Sequence, residues 1–336
     1  MEVILELINE RIAKHASVTR LLNFENGKLG FCFYFFELAT IEKSPKHLKL
    51  ATNLFEQIRR ELPAYSANNF VYELAQIGIA IDLFVKRDYI HADINRLLED
   101  FDDLIFKKLL VLDLANIKPF ETVIILYYLC IRIEKQKKES DACFILEELC
   151  ILTFNNFYQT IDSSFFDEPL SFSLTYQLPL FIFILSKLYG LGFYNYRFDA
   201  IIKEVSGLIL SRLPVLHSNR LYLLWSLTKL KEATNSIIWD EQIEILTQHI
   251  NCEKIIFEEL RSKNIAIRDG LAGVYLLLNE LSSTINKIQF DVNWIKEKLK
   301  DSELWKNNRW ATSNLGLVNG LSGVILVYSL IKTNNQ

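Results

Sequence analysis

The sequence predicts an all-α protein whose helices pair as hairpins and close into a two-layered α/α toroid, seven inner helices wrapped by seven outer ones. Three observations predict it. Segments that are apolar on nearly every face alternate along the chain with amphipathic, charged segments. The apolar segments start near residues 28, 70, 119, 175, 219, 269 and 317, about 48 residues apart, close to the length of one helical-hairpin repeat. Turn residues are scarce: 11 Gly and 6 Pro in 336 residues, whereas a many-stranded sandwich needs a turn signal about every 8–12 residues.

The elements follow in order. Met1 to Ala13 reads as an amphipathic helix, an outer element without a partner, placed to join the last apolar helix in a seventh pair. Leu29 to Ala39 is apolar all round and is followed by the charged Pro45 to Leu62. The same order returns as Tyr72 to Val85 with Ala92 to Leu109, Val123 to Ile131 with Glu139 to Asn156, and Leu180 to Leu188 with Phe198 to Arg212. Leu221 to Leu227 precedes Glu241 to His249, Val274 to Leu278 precedes Val292 to Leu299, and Val324 to Ile331 comes last. A helix that is apolar all round cannot face water, so these form an inner layer covered by the amphipathic ones. An open solenoid would leave an apolar helix bare at each end, and no polar cap is present in the sequence. One repeating architecture therefore extends over a single domain, residues 1–336.

Composition narrows the function. A net charge of −4 gives none of the basic footprint that phosphate neutralisation requires, so nucleic acid is not an expected partner. The start has no basic leader ahead of an apolar stretch, so a cytoplasmic location is expected. Its five cysteines, Cys32, Cys130, Cys143, Cys150 and Cys252, are irregularly spaced and sit in apolar runs, the pattern of buried free thiols in a reducing compartment. Trp310 to Ile331 lacks charge and is long enough to span a bilayer. Its Asn314, Asn319 and three glycines, and the similar runs elsewhere, read instead as a buried helix, so no membrane partner is expected.

Glycines recur three apart where inner helices begin: Gly27 and Gly30, Gly270 and Gly273, Gly320 and Gly323. Glycine costs a helix interior about 0.5–1 kcal/mol relative to alanine, so its recurrence signals close backbone approach. The segments Asp269-Gly-Leu-Ala-Gly-Val, Asn319-Gly-Leu-Ser-Gly-Val and Asn26-Gly-Lys-Leu-Gly-Phe resemble the repeated Gly-x-x-Gly helix starts of the lanthionine synthetase C-like family. Ala75-Gln-Ile-Gly-Ile resembles a fourth copy without its first glycine. The resemblance implies the same α/α toroid and a zinc enzyme that adds peptide cysteine thiols to dehydrated serine or threonine. It also implies metal ligands, a Cys before one helix start and a Cys-His pair before the next. Here the pair's place holds Arg268-Asp269, and the earlier cysteine falls near Ser218, with no cysteine between Cys150 and Cys252. A thiol-activating zinc needs about three soft or borderline ligands with one open position, so no metal and no cofactor is expected. His249 and Cys252 lack a third ligand.

If the inner helices run parallel, their N-termini gather at one mouth of the ring, with unsatisfied N–H groups aimed there. The candidate binding residues at that mouth are Glu73, Tyr176, His217, Asn219, Arg220, Arg268, Asp269 and Asn319, with Asn26, Lys28, Tyr72, Gln76, Glu121, Gln177 and Asn314 nearby. Asp269, Asn319 and Ser218 suit N-cap positions, and Arg268 can pair with a carboxylate such as Glu73. The leading expectation is a metal-free protein that binds a peptide and assists maturation of a ribosomally made natural product, its partner a precursor peptide or a peptide-modifying enzyme. A second is a carboxylate enzyme, Asp269 with Glu73 or Glu121 acting on a glycosidic bond at a carboxyl separation of about 5–9.5 Å. A third is an interaction scaffold.

Overall fold

The computed structural model describes residues 2–65, 70–110, 117–285, 288–306 and 314–334. Among them, fourteen helices build the fold. Those of the inner layer are α2 (Lys28–Glu42), α4 (Phe70–Lys86), α6 (Pro119–Lys135), α8 (Gln177–Leu191), α10 (His217–Thr234), α12 (Leu271–Ser282) and α14 (Leu321–Asn334). The outer layer comprises α1 (Glu2–Val18), α3 (Pro45–Glu61), α5 (Ile94–Leu109), α7 (Asp141–Gln159), α9 (Asn195–Leu210), α11 (Asp240–His249) and α13 (Val292–Lys300). Each inner helix packs against the next, and α14 packs back on α2, so the inner layer is a closed ring, the α/α toroid that the alternation predicts.

The two layers differ in what they bury. On α5 a single stripe goes inside, Ile94, Leu98, Phe101, Ile105 and Leu109, at helical spacing. Each such side chain contributes about 1.5–3 kcal/mol when fully buried. On α2 every residue from Lys28 to Leu38 is buried except Phe33. The Lys28 ammonium is tolerated there because it meets the Glu61 carboxylate at 2.5 Å. Outer helices start on side-chain caps: Ser44 accepts from the His47 N–H ahead of α3, Asp93 from Asn95 and Arg96 ahead of α5, Ser140 from Cys143 ahead of α7. Inner helices α2, α6, α8, α10 and α12 have no such cap of their own.

One pairing differs from the sequence expectation. The N-terminal helix α1 packs chiefly on α2 and α3 rather than completing a pair with the last apolar helix, and α14 is covered by α13. The reason is chain proximity: the short link after Val18 returns α1 directly onto the first hairpin. A cleft of about 730 Å³, lined by residues such as Asn9, Phe35, His47 and Tyr328, remains between α1, the α2–α3 corner and α14. All five cysteines are buried and free. No helix among the described residues is long and apolar enough to cross a membrane; residues 310–313 of the uncharged run lie outside the described residues.

Candidate functional site

The mouth of the ring is built by the loops that lead into the inner helices. In three repeats the incoming chain curls back so that carbonyls seven residues upstream accept the first helical N–H groups. Lys28 N donates to Leu21 O and Leu29 N to Leu22 O; Leu271 and Ala272 donate to Asn264 and Ile265; Leu321 and Ser322 donate to Asn314 and Leu315. The glycine pairs make room for this return. A Cβ at Gly273 would lie 1.9 Å from Ile267 O, at Gly323 2.0 Å from Leu317 O, and at Gly30 2.2 Å from Phe24 O. The close approach read from the glycine spacing is therefore that of each helix to its own entry loop. It also corrects the capping expectation, because the N-cap of α12 is Gly270 and not Asp269. Asn319 stands one residue ahead of Gly320, where the same return supplies the acceptors from main chain.

These loops are stitched to one another across the mouth. Glu25 O accepts from Leu317 N and Val318 N, Val318 O from Arg268 N, and Arg268 O from Leu174 N, while Leu174 O accepts from the Tyr222 hydroxyl. Arg268 is thus fixed by its backbone on both sides. Its guanidinium reaches Glu25, with Nη2 2.7 Å from Oε1, and lies 5.4 Å from the Phe120 ring centre. The Tyr72 hydroxyl donates to the same Glu25 oxygen at 2.5 Å, and its ring meets Phe120 edge-on. Burial, then the Glu25 carboxylate, pushes the Tyr72 hydroxyl pKa up, so it stays a donor. Both charges of the pair are about one-fifth exposed. Arg268 therefore pairs with Glu25 and not with Glu73, whose carboxylate instead accepts from the Tyr65 hydroxyl.

The start of α10 is organised differently. Ser218 is not its N-cap; Leu216 occupies that position and supplies no side-chain bond. The free N–H groups are taken by two carboxylates from elsewhere. Glu259, at the end of a π-helical turn (Ile255–Glu259), accepts from His217 N at 2.5 Å, Ser218 N at 2.9 Å and Ser218 Oγ at 2.6 Å. Glu168 accepts from Val215 N, Leu216 N and Asn219 Nδ2. A carboxylate at a helix N-terminus is favoured by the helix dipole as well as by its hydrogen bonds. His217 and Arg220 turn sideways to hold the end of α11: Arg220 Nη1 donates to His249 O at 2.8 Å and the Asn251 N–H to His217 Nδ1 at 3.2 Å. Tyr176 is buried, and burial with the nearby Glu168 and Asp167 carboxylates pushes its pKa up to about 12 against Arg212. Asp269 is exposed.

The predicted residues therefore share the rim but divide into groups. Arg268 forms one cluster with three residues that the sequence reading did not join to it, while Asn219, His217 and Arg220 belong to the start of α10. Two buried acceptors in the predicted set find no hydrogen-bond partner among the described residues, Asn219 Oδ1 and Asn319 Oδ1, whereas Arg268 Nη2 is held by the Glu25 carboxylate. Sequence reasoning missed Glu25 and Glu168, which come from loops, and Glu259, which comes from the short π-helical turn. The only sequence signal at Glu25 is its place directly before the Asn26-Gly27 start.

The residues present do not fit the zinc that the resemblance implies. Arginine cannot ligate a cation, the Ser218 hydroxyl donates to Glu259, and Asp269 is exposed. Among the described residues no three His, Cys, Asp or Glu side chains converge on a metal position. His249 Nδ1 is bonded to Ile245 O of its own helix, and Cys252 is buried.

No family model and no curated protein sequence matches this chain. Its fold does match solved structures. One of them is nisin cyclase, at a TM-score of 0.68 and 17% sequence identity, with 99% of this chain and 95% of that one covered. The chain thus has, over essentially its whole length, the lanthionine synthetase C-like α/α-toroid fold of nisin cyclase.

Proposed function

We propose that this chain is a zinc-independent relative of the peptide cyclases that share its fold, and that it binds a peptide at the mouth of the ring to assist maturation of a ribosomally made product in the cytoplasm. The observation that carries the reading is the pair of unsatisfied buried acceptors at the starts of α10 and α14, Asn219 Oδ1 and Asn319 Oδ1. A peptide backbone offers the complement, N–H groups for Asn219 and Asn319, and its carbonyls suit the Glu25-paired guanidinium of Arg268. The wall beside them, Tyr72 and Phe120, is aromatic, and the Arg268–Glu25 pair presents both signs of charge. The similarity to nisin cyclase, a peptide-modifying protein by its name, supports the same class of ligand.

No observation favours the carboxylate-enzyme reading. Asp269 is exposed, Glu73 is held by Tyr65, and Glu121 faces Lys118 at 3.8 Å. The test of peptide binding uses sequences selected from a random displayed-peptide library on the wild-type protein. Each is synthesised and titrated by fluorescence polarisation against wild type and Arg268→Ala, with a thermal melt of both. Loss of a charge-assisted contact worth about 1.5–3 kcal/mol weakens binding by about tenfold to a hundredfold while the helical signal persists. Failure to select any peptide, or equal affinities for the two proteins, removes the mouth as the site.

A further inference from the structure

Each inner helix has an inner neighbour on either side and an outer helix behind it, so its one uncovered face looks into the lumen of the ring. That face shows in the burial pattern. On α2 only Phe33 escapes burial between Lys28 and Leu38, and on α12 Leu276 is 37% exposed although its neighbours from Leu271 to Leu278 are buried.

A belt of rings crosses this inner wall. Tyr127 of α6 meets Phe183 of α8 at 5.6 Å between ring centres, and Phe183 stacks on Trp225 of α10 at 5.0 Å and 29°. Trp225 Nε1 donates to Glu280 of α12 at 2.8 Å. All three rings remain partly exposed. The charges beside the belt are unequal in their pairing. Glu280 is matched by Lys229 at 2.9 Å. Lys187, one helical turn beyond Phe183, holds its ammonium 5.8 Å from the Phe183 ring centre. Among the described residues no carboxylate lies within 4.0 Å of it.

We propose that this belt is a second subsite, which takes the C-terminal residue of a peptide: an aromatic side chain against Phe183 and Trp225, and the free carboxylate on Lys187. The proposal rests on the peptide-binding reading of the mouth and names which part of the peptide enters the ring. An offset or edge-on ring adds favourable contact with the exposed faces, and an unpaired, partly dehydrated ammonium favours a carboxylate over an amide. Lys187 and Lys229 oppose the cationic guest that three aromatic rings otherwise attract. The reach is compatible with the mouth. Tyr127 lies seven residues, about 10 Å, along α6 from Phe120, a distance that about three extended residues cover.

The probes are N-acetylphenylalanine and N-acetylphenylalaninamide, which share the ring and differ in the carboxylate, titrated by ligand-observed NMR. Wild type should bind the acid about tenfold more tightly than the amide. Lys187→Met should bind the two alike, Phe183→Leu should weaken both together, and Arg268→Ala should retain the preference. A melt verifies each variant, and Lys187→Gln serves the same comparison if the methionine variant does not fold. Equal binding of acid and amide to wild type, no binding of either at millimolar concentration, or a preference that survives loss of Lys187 overturns the proposal. These outcomes are separable from failure at the mouth, which is read from the library peptides and Arg268→Ala.

Discussion

Replacing glycine by alanine should have opposite effects at two positions of this ring. At Gly273 an added Cβ would sit 1.9 Å from Ile267 O and 3.4 Å from a Leu174 methyl carbon. The first atom is main chain, so the entry loop of α12 must retreat by more than an ångström. That loop is held by four bonds: Leu271 N to Asn264 O, Ala272 N to Ile265 O, Arg268 N to Val318 O and Leu174 N to Arg268 O. Overpacking costs about 1–3 kcal/mol and each weakened bond about 1 kcal/mol, against a helix-propensity gain of about 0.5–1 kcal/mol. The net expectation is a destabilisation of about 2–4 kcal/mol. At Gly207, inside α9, an added Cβ meets nothing within 4 Å, so Gly207→Ala should stabilise by about 0.5–1 kcal/mol. Urea unfolding followed by helical circular dichroism at equilibrium measures both. If Gly273→Ala proves as stable as wild type, the close return of the entry loop is not what the glycine pairs provide.

Three further outcomes follow from the same structure. Glu259→Ala leaves the first N–H groups of α10 uncapped and should cost about 1–2 kcal/mol in urea unfolding, with Glu259→Gln losing less, whereas no loss in either would remove Glu259 as the cap. Several tyrosines, among them Tyr176 at about 12, have folded pKa values raised by burial above the usual value near 10. A raised acid pKa stabilises the fold while the unfolded phenol is still protonated, so stability is full below pH ~10 and lost as pH climbs towards 12. Phenolate absorbance and helical signal should therefore change together; full tyrosine ionisation near pH 10 in a protein that keeps its helices would contradict this. Metal analysis of the purified protein should find no stoichiometric zinc, and a chelator should leave the melting temperature unchanged, because a bound ion would stabilise the fold by mass action; about one zinc per chain would overturn the zinc-independent reading.

The layers and their order were legible because burial leaves a periodic record. The apolar stretch of α2 and the spaced stripe of α5 each state in sequence which layer they join. The rim was legible only as a set of positions. Arg268 could be placed at a helix start, but its partner could not, since Glu25 lies more than two hundred residues away in a loop whose path no periodicity records. The capping roles of Asp269 and Ser218 failed for a related reason. Side-chain caps are local and readable, as at Ser44 and Asp93, whereas here the acceptors are main-chain carbonyls seven residues back and a carboxylate, Glu259, some forty residues away. The α1 placement shows the limit of counting, because an unpaired helix was assigned to the unpaired end when a short link simply folded it onto the nearest hairpin.

The contact of α14 with α2 has a consequence for how the protein is made. In an open stack of hairpins, each newly synthesised repeat settles on the one before, and a terminal cap shields the final edge. Here the first inner helix leaves the ribosome with one flank that only the last inner helix can cover. Throughout synthesis of the intervening repeats the growing arc carries two apolar edges, one on α2 and one on the most recent helix. Both disappear in the same event, when residues 321–334 arrive and the arc becomes a ring. The nascent chain is thus exposed to misassembly until its final helix is complete, and chaperone engagement should track that interval rather than the folding of any one hairpin.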